Sequence, residues 1–190
     1  MGETNLYQLL ERIGNLLRTE IRKAGAKAGL QPVHLQALYY LSQCNRYSDT
    51  PAAVTDYLGA TKGTVSQTLS ILEKKGYIEK TTDANDRRVQ HLALTESAHA
   101  LLHTSLPPKF FAKAESKLME ADAGGAVQFL TQLLRELQYA NQSKTFGVCK
   151  TCHFFLSHSE GYQCGLTREM LQEKDIVKIC REHQPGAEQE

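Results

Sequence analysis

The chain has 190 residues, 41% of them hydrophobic, enough for one domain with a proper core and a small annex. Its formal net charge of +1 excludes a global basic field. Any affinity for nucleic acid must come from local clusters (Lys62, Lys74, Lys75, Lys80, Arg87 and Arg88) and from dimerisation. Neither a signal-peptide pattern nor an apolar run of membrane length is present, so the expected location is the cytoplasm, with no membrane partner. In that compartment the five cysteines are expected as reduced thiols or metal ligands rather than disulfides.

The first predicted element is an amphipathic helix from Leu6 to about Ala24. Leu6, Leu9, Leu10, Ile13, Leu16, Leu17 and Ile21 form an apolar stripe wider than a helix that merely covers a core requires. Gly25 and Gly29 then loosen the chain. Gln31-Pro32 opens a second helix through Cys44, carrying Leu35, Leu38, Tyr39 and Leu41. Cys44 has apolar neighbours and reads as a buried, inert thiol. After a loop from Asn45 to Asp49, Thr50-Pro51 starts a third helix with proline at its first position. Ala53, Val54 and Leu58 face inward, and Gly59 makes the turn that follows.

The next stretch, Thr61 to Thr95, organises the chain. Thr61 is an N-cap, Val65, Leu69 and Leu72 repeat at helical spacing, and Gly76 ends the helix just after Lys74 and Lys75. Lys62, Ser66, Gln67 and Ser70 occupy the opposite, polar face. A β-hairpin follows: Tyr77-Ile78 opens one strand, Asp83-Ala84-Asn85-Asp86 turns, and Val89 to Leu94 alternates along the return. A polar-faced helix suits the major groove of DNA. The two arginines near the hairpin tip, Arg87 and Arg88, can reach a minor groove or the phosphates.

These residues resemble the winged helix-turn-helix of the multiple-antibiotic-resistance regulators, the MarR family. The resemblance lies in Thr64-Val65-Ser66, Leu72-Glu73-Lys74-Lys75-Gly76-Tyr77-Ile78, Asp83-x-x-Asp86-Arg87-Arg88 and Leu92-x-Leu94-Thr95, in order and with spacing intact. It implies a dimer built by the first and the C-terminal helices. It implies DNA contacts from the recognition helix, and one arginine of the wing motif held by Asp86 or a neighbour as it enters the minor groove.

Beyond Thr95 a helix begins at Glu96 and runs to about Ser105, where Pro107-Pro108 breaks it. Phe110, Phe111, Leu118 and Met119 continue an amphipathic pattern to Gly124-Gly125, read as a break. Val127, Phe129, Leu130, Leu133, Leu134 and Leu137 form a further leucine-rich helix. These pieces match the family's dimerisation helices. His91, His99 and His103 are assigned no role.

From Phe146 onward the composition changes. Cys149 and Cys152 form a C-x2-C pair, Cys164 follows a Gly-Tyr-Gln turn, and Cys180 ends a short helix. Four cysteines in so short a segment, too small for its own apolar core, argue for a bound metal centre. An all-thiolate site selects zinc or an iron–sulfur cluster. One close pair plus two single cysteines slightly favours the cluster; zinc could instead recruit His183, which forms a C-x2-H pair with Cys180 and leaves Cys164 spare. This annex lies outside the family pattern.

The expected fold is mainly α with a small β-hairpin wing. Residues 1–30 form an N-terminal dimerisation helix, 31–105 a winged helix-turn-helix domain, 106–142 C-terminal dimerisation helices, and 143–190 a four-cysteine annex. The expected function is a homodimeric, sequence-specific transcriptional regulator, taken as a repressor, on palindromic double-stranded DNA. Lys62, Thr64, Ser66, Gln67, Ser70, Arg87 and Arg88 are the candidate DNA contacts, and Cys149, Cys152, Cys164 and Cys180 the candidate metal ligands. In the rival reading the annex is a structural zinc clip and a small molecule is the effector. A metal-dependent enzyme fits worse, because no catalytic metal spacing, Ser-His-Asp set or nucleotide-binding glycine motif is visible.

Overall fold

The computed structural model describes residues 5–84 and 86–186, with 119–123 described in their backbone only. The hairpin residue Asn85 and the side chain of Met119, both used above, lie outside the described residues. Eight elements precede the annex: α1 (Leu6–Ala26), α2 (Pro32–Gln43), α3 (Pro51–Leu58), α4 (Lys62–Lys74), β1 (Ile78–Thr82), β2 (Gln90–Leu94), α5 (Glu96–Ser105) and α6 (Lys109–Ala140). No helix among the described residues is long and apolar enough to cross a membrane.

The helix starts follow the chemistry of their caps. Asn5 accepts from the Gln8 amide, while the Thr50, Thr61 and Thr95 hydroxyls accept from Ala53, Thr64 and Ala98, each satisfying an otherwise unpaired first-turn N–H. Pro32 and Pro51 occupy first-turn positions, where the missing N–H costs nothing. Gly59 ends α3 at φ 59°, a left-handed conformation that turns the chain directly into α4.

The core is assembled by the helical periodicity. Leu35, Leu38 and Tyr40 of α2, Ala53 and Val54 of α3, and Val65, Leu69 and Leu72 of α4 are buried together with Ile78, Leu92, Ala98 and Leu102. The Tyr40 hydroxyl, carried into this core, donates to the Ser48 carbonyl at 2.8 Å. The hairpin is antiparallel and pairs Ile78 with Leu94, Lys80 with Leu92 and Thr82 with Gln90. Ile78 and Leu92 therefore drop from one face onto the helices.

The long C-terminal helix corrects the sequence reading. Gly124-Gly125 does not break it: α6 runs as one helix of 32 residues. Two glycines cost helix stability of about 1 kcal/mol each relative to alanine, which the remaining good helix formers can offset. Among its described side chains only Leu133 and Gln138 are even partly buried, so Leu118, Val127, Leu130, Leu134 and Leu137 stand in the open. On α1, Leu6, Leu9, Ile13 and Leu16 are likewise exposed.

The annex begins with a 3₁₀ turn over Cys149–Thr151. It continues through β3 (Phe155–His158), β4 (Gly161–Cys164) and β5 (Met170–Leu171), a sheet of order β3-β4-β5, and then α7 (Glu173–Ile176). Two local expectations change. Gly161-Tyr162-Gln163 is strand, not turn, and Cys164 closes that strand. Cys180 does not end a helix; α7 stops at Ile176 and Cys180 follows in an extended stretch.

The annex does not extend freely from the end of α6. It folds back onto the helix-turn-helix. The Asn45 N–H donates to the Ile179 carbonyl and the Ile179 N–H to the Gln43 carbonyl, both at 2.9 Å. Ile179 and Phe146 pack against the core, Phe146 edge-on to Tyr40 and Tyr57. Gly147 permits the close packing of the His183 ring within the annex, because a Cβ there would clash with it.

Candidate nucleic-acid interface and cysteine cavity

The first group of predicted site residues lies on α4. Lys62, Thr64, Ser66 and Gln67 are exposed and Ser70 half-buried, on the face opposite Val65, Leu69 and Leu72. The Thr64 hydroxyl lies 3.0 Å from that of Thr61, so it is tied to the cap, whereas Ser66 and Gln67 present their polar groups outward. Thr68, on the apolar side, is buried.

At the wing, Arg88 and Asp86 form a fork. Nε donates to Oδ1 at 2.9 Å and Nη2 to Oδ2 at 2.8 Å, while the Arg88 backbone N–H also reaches Oδ1 at 3.0 Å. These bonds hold the Asp86 carboxyl below the ordinary carboxylate range and fix the direction of the guanidinium, which is 90% exposed. Arg87 is exposed, and its guanidinium has no hydrogen bond or ion pair among the described residues. The other basic groups divide in the same way. Lys80 pairs with Glu73 at 2.6 Å and Lys75 donates to the Ala28 carbonyl. Lys62 and Lys74 have no such partner among the described residues.

One residue of this region was given no role by sequence. His91 on β2 sits between two carboxylates, Nδ1 2.6 Å from Asp49 Oδ1 and Nε2 3.1 Å from Asp83 Oδ2. The bond to Asp49, supported by Asp83, raises the imidazole above its usual range. Burial pushes Asp49 itself up, and the bond to His91 only partly offsets this. The loop before α3 is thereby tied to the wing, and the Leu92 N–H reinforces it by donating to the Asp49 carbonyl at 2.8 Å. No spacing in the sequence signals this contact, because Asp49 and His91 are 42 residues apart.

The second group lies in the annex. Cys149, Cys152, Cys164 and Cys180 all line one small cavity, together with Asn45, Tyr47, the apolar Phe154, Phe155, Leu166 and Leu171, and Glu182, whose carboxylate is paired with Lys144 and Arg181. Sequence reasoning did not anticipate that Asn45 and Tyr47, from the loop after α2, form part of its wall. Interaction with Cys149 lowers the Cys180 thiol to about 6, while the same interaction, together with burial, raises Cys149. The Asn45 amide donates to Cys149 Sγ at 3.4 Å. His183 does not line the cavity. It is buried, with Nδ1 2.7 Å from the Thr145 hydroxyl and Nε2 3.0 Å from that of Thr151. Among the described residues no three His, Cys, Asp or Glu side chains are gathered as a single-ion site. Cys44 is buried outside the cavity, and desolvation pushes its thiol up to about 12, an unreactive state.

A polar-faced helix set behind a short scaffold helix and followed by a two-stranded wing defines a winged helix-turn-helix protein. Within it, residues 28–89 match the family model described as "MarR family". The curated relative Transcriptional repressor MprA of Escherichia coli (strain K12) is 31% identical over 102 residues, 54% of this chain. This chain thus spans about half of that relative, 53% of its length. The fold is shared with S. aureus MepR in its DNA-binding conformation, at 24% identity and a TM-score of 0.60, covering 71% of this chain and all of that one. It is shared too with MepR in its DNA complex, at 21% identity and a TM-score of 0.55, covering 73% and 99%.

Proposed function

We propose that this chain is a homodimeric, sequence-specific DNA-binding transcriptional regulator of the MarR family, a repressor rather than an enzyme, with a metal centre held by Cys149, Cys152, Cys164 and Cys180. One observation carries the regulator reading: the exposed polar face of α4 stands beside a wing whose Arg88 is already oriented by Asp86. Lys62, Thr64, Ser66 and Gln67 would meet the major groove, with the Gln67 amide able to make a two-pronged contact to adenine. Ser70, half-buried, lies at the edge of that contact. Arg88 is the arginine for the minor groove, and Arg87, without a partner among the described residues, the one for phosphate.

The open leucines of α1 and α6 support the dimer, since so broad an apolar surface is rare on a monomer. The MprA relative is named a repressor, and the MepR fold is found bound to DNA, which favours the same use here. Purified protein titrated with a random-sequence duplex tests the reading. Salt-sensitive binding is expected; Gln67→Ala is expected to reduce discrimination between sequences while leaving the salt dependence intact. No binding at low salt would refute it.

For the centre, the support is that four thiols from separate parts of the annex face one cavity while His183 is engaged elsewhere. An all-thiolate donor set suits an iron–sulfur cluster or zinc. One close pair, Cys149 and Cys152, with the two single cysteines Cys164 and Cys180 leans the reading to the cluster. Anaerobic purification with metal analysis and a visible spectrum decides: brown protein with iron is expected. Colourless protein with stoichiometric zinc would make the annex a structural clip. That second reading has its own observation, a cavity of about 1260 Å³ between α1, α5 and the start of α6, large enough for a small-molecule effector.

A further inference from the structure

The residues that flank one candidate ligand are the ones that grip the helix-turn-helix. Cys180 lies between Ile179 and Arg181. Ile179 is bonded in both directions to the end of α2, through Gln43 and Asn45, and packs on the core. Arg181 donates its N–H to the Ser48 hydroxyl at 2.8 Å and its guanidinium to Asp56 of α3, Nε at 2.7 Å and Nη2 at 2.6 Å. Cys180 therefore cannot shift without pulling on the end of α2, the loop after it and α3 together. From the other side, Asn45 enters the cavity. It is buried, its carbonyl oxygen accepts from the Tyr47 N–H at 3.1 Å, and this orients the amide so that its NH₂ donates to Cys149 Sγ. The loop that sets the angle between α2 and α3 is thus held at one end by a thiol of the cavity and at the other by the neighbours of a second thiol.

We infer that occupancy of the cysteine cavity is communicated to the recognition helix inside a single protomer, through Asn45 and the Arg181–Asp56 link, and not only through the spacing of two protomers. The inference rests on the four-cysteine centre proposed above. In the loaded state Asn45 donates to a metal-bound thiolate, a stronger acceptor than a thiol, and Cys180 is fixed, so the Ile179 and Arg181 contacts hold α3 behind α4. In the emptied state both restraints slacken and α3, a helix of only 8 residues, loses its anchor on the annex side. DNA affinity then differs between the two states because they differ in how α4 is supported.

The test compares the protein as purified anaerobically with the same protein stripped by EDTA under a thiol reductant, which keeps disulfides from replacing the centre. Metal content and duplex affinity are measured for wild type, Arg181→Gln and Asn45→Ala. In wild type the loaded and stripped forms are expected to differ about tenfold in affinity. Arg181→Gln lies outside the cavity wall, so it is expected to keep its metal and spectrum while the loaded-to-stripped ratio falls towards one. Asn45→Ala is expected to lose metal to the chelator about tenfold or more faster, as removal of a hydrogen bond to a ligand does. A variant that is merely less stable would lower both affinities and leave their ratio intact. A full ratio in Arg181→Gln, with metal retained, overturns the inference and leaves the centre standing. Wild-type protein that holds neither iron nor zinc overturns both.

Discussion

The two wing arginines should not behave alike, and salt is the probe that separates them. Each phosphate neutralised by a cation releases counterions, so the slope of log Kobs against log salt changes by about 0.9 per contact on duplex DNA. Arg87 has no internal partner among the described residues, and a dimer presents two copies. Arg87→Ala is therefore predicted to flatten the slope by about 1.8 (two contacts at 0.9 each). Between roughly 50 and 200 mM salt, a fourfold change, the wild-type advantage should shrink about twelvefold, since 4 raised to 1.8 is about 12. Arg88 already shares its charge with Asp86, so Arg88→Ala is expected to flatten the slope less and to lose sequence preference more. Asp86→Ala frees Arg88 and removes a negative charge; binding to random DNA should tighten while preference for any one sequence weakens. Fluorescence anisotropy on a labelled duplex across a salt series reads all three. Equal slopes for wild type and Arg87→Ala would show that the wing does not face the phosphates, and the reasoning fails.

Three other outcomes are expected. Leu130→Asp with Leu137→Asp on the open face of α6 should give a monomer by light scattering, with DNA affinity reduced about a hundredfold or more because the second half-site is no longer tethered. Leu72→Ala, at a site with no exposed surface, should cost about 3 to 5 kcal/mol in denaturant unfolding through the cavity it leaves. For His91, whose value is raised in the folded state, the stabilisation is complete below the ordinary imidazole range and is lost as pH rises through the raised value. Melting temperatures of wild type and His91→Gln should therefore diverge at mildly acid pH and converge in alkaline buffer; a gap that widens with pH would reverse the sign and contradict the assignment.

What the sequence revealed was whatever is written in local periodicity and caps. The Thr61 cap, the helix starts at Thr50-Pro51 and after Thr95, the apolar spacing of Val65, Leu69 and Leu72, and the turn between β1 and β2 are all decided by neighbours within a few residues. The wing motif was legible because Asp86 and Arg88 interact two residues apart. Gly124-Gly125 misled because a weak local propensity is a poor guide inside a long helix, where hydrogen bonds on both sides carry the chain through. The Asp49–His91 tie and the Arg181–Asp56 tie were invisible, since each joins residues 42 or 125 apart and no periodicity records such a meeting. The four cysteines stood out by composition. That a loop of the helix-turn-helix walls their cavity did not, because Asn45 and Tyr47 look like ordinary loop residues in sequence.

The central claim is that two copies of α4 and its wing meet one duplex together. Selection of bound sequences from a random duplex pool tests it most directly. The account predicts enrichment of a two-fold symmetric site whose half-sites lie about one helical turn apart. Enrichment of a single unpaired half-site, or of no sequence at all, would contradict it.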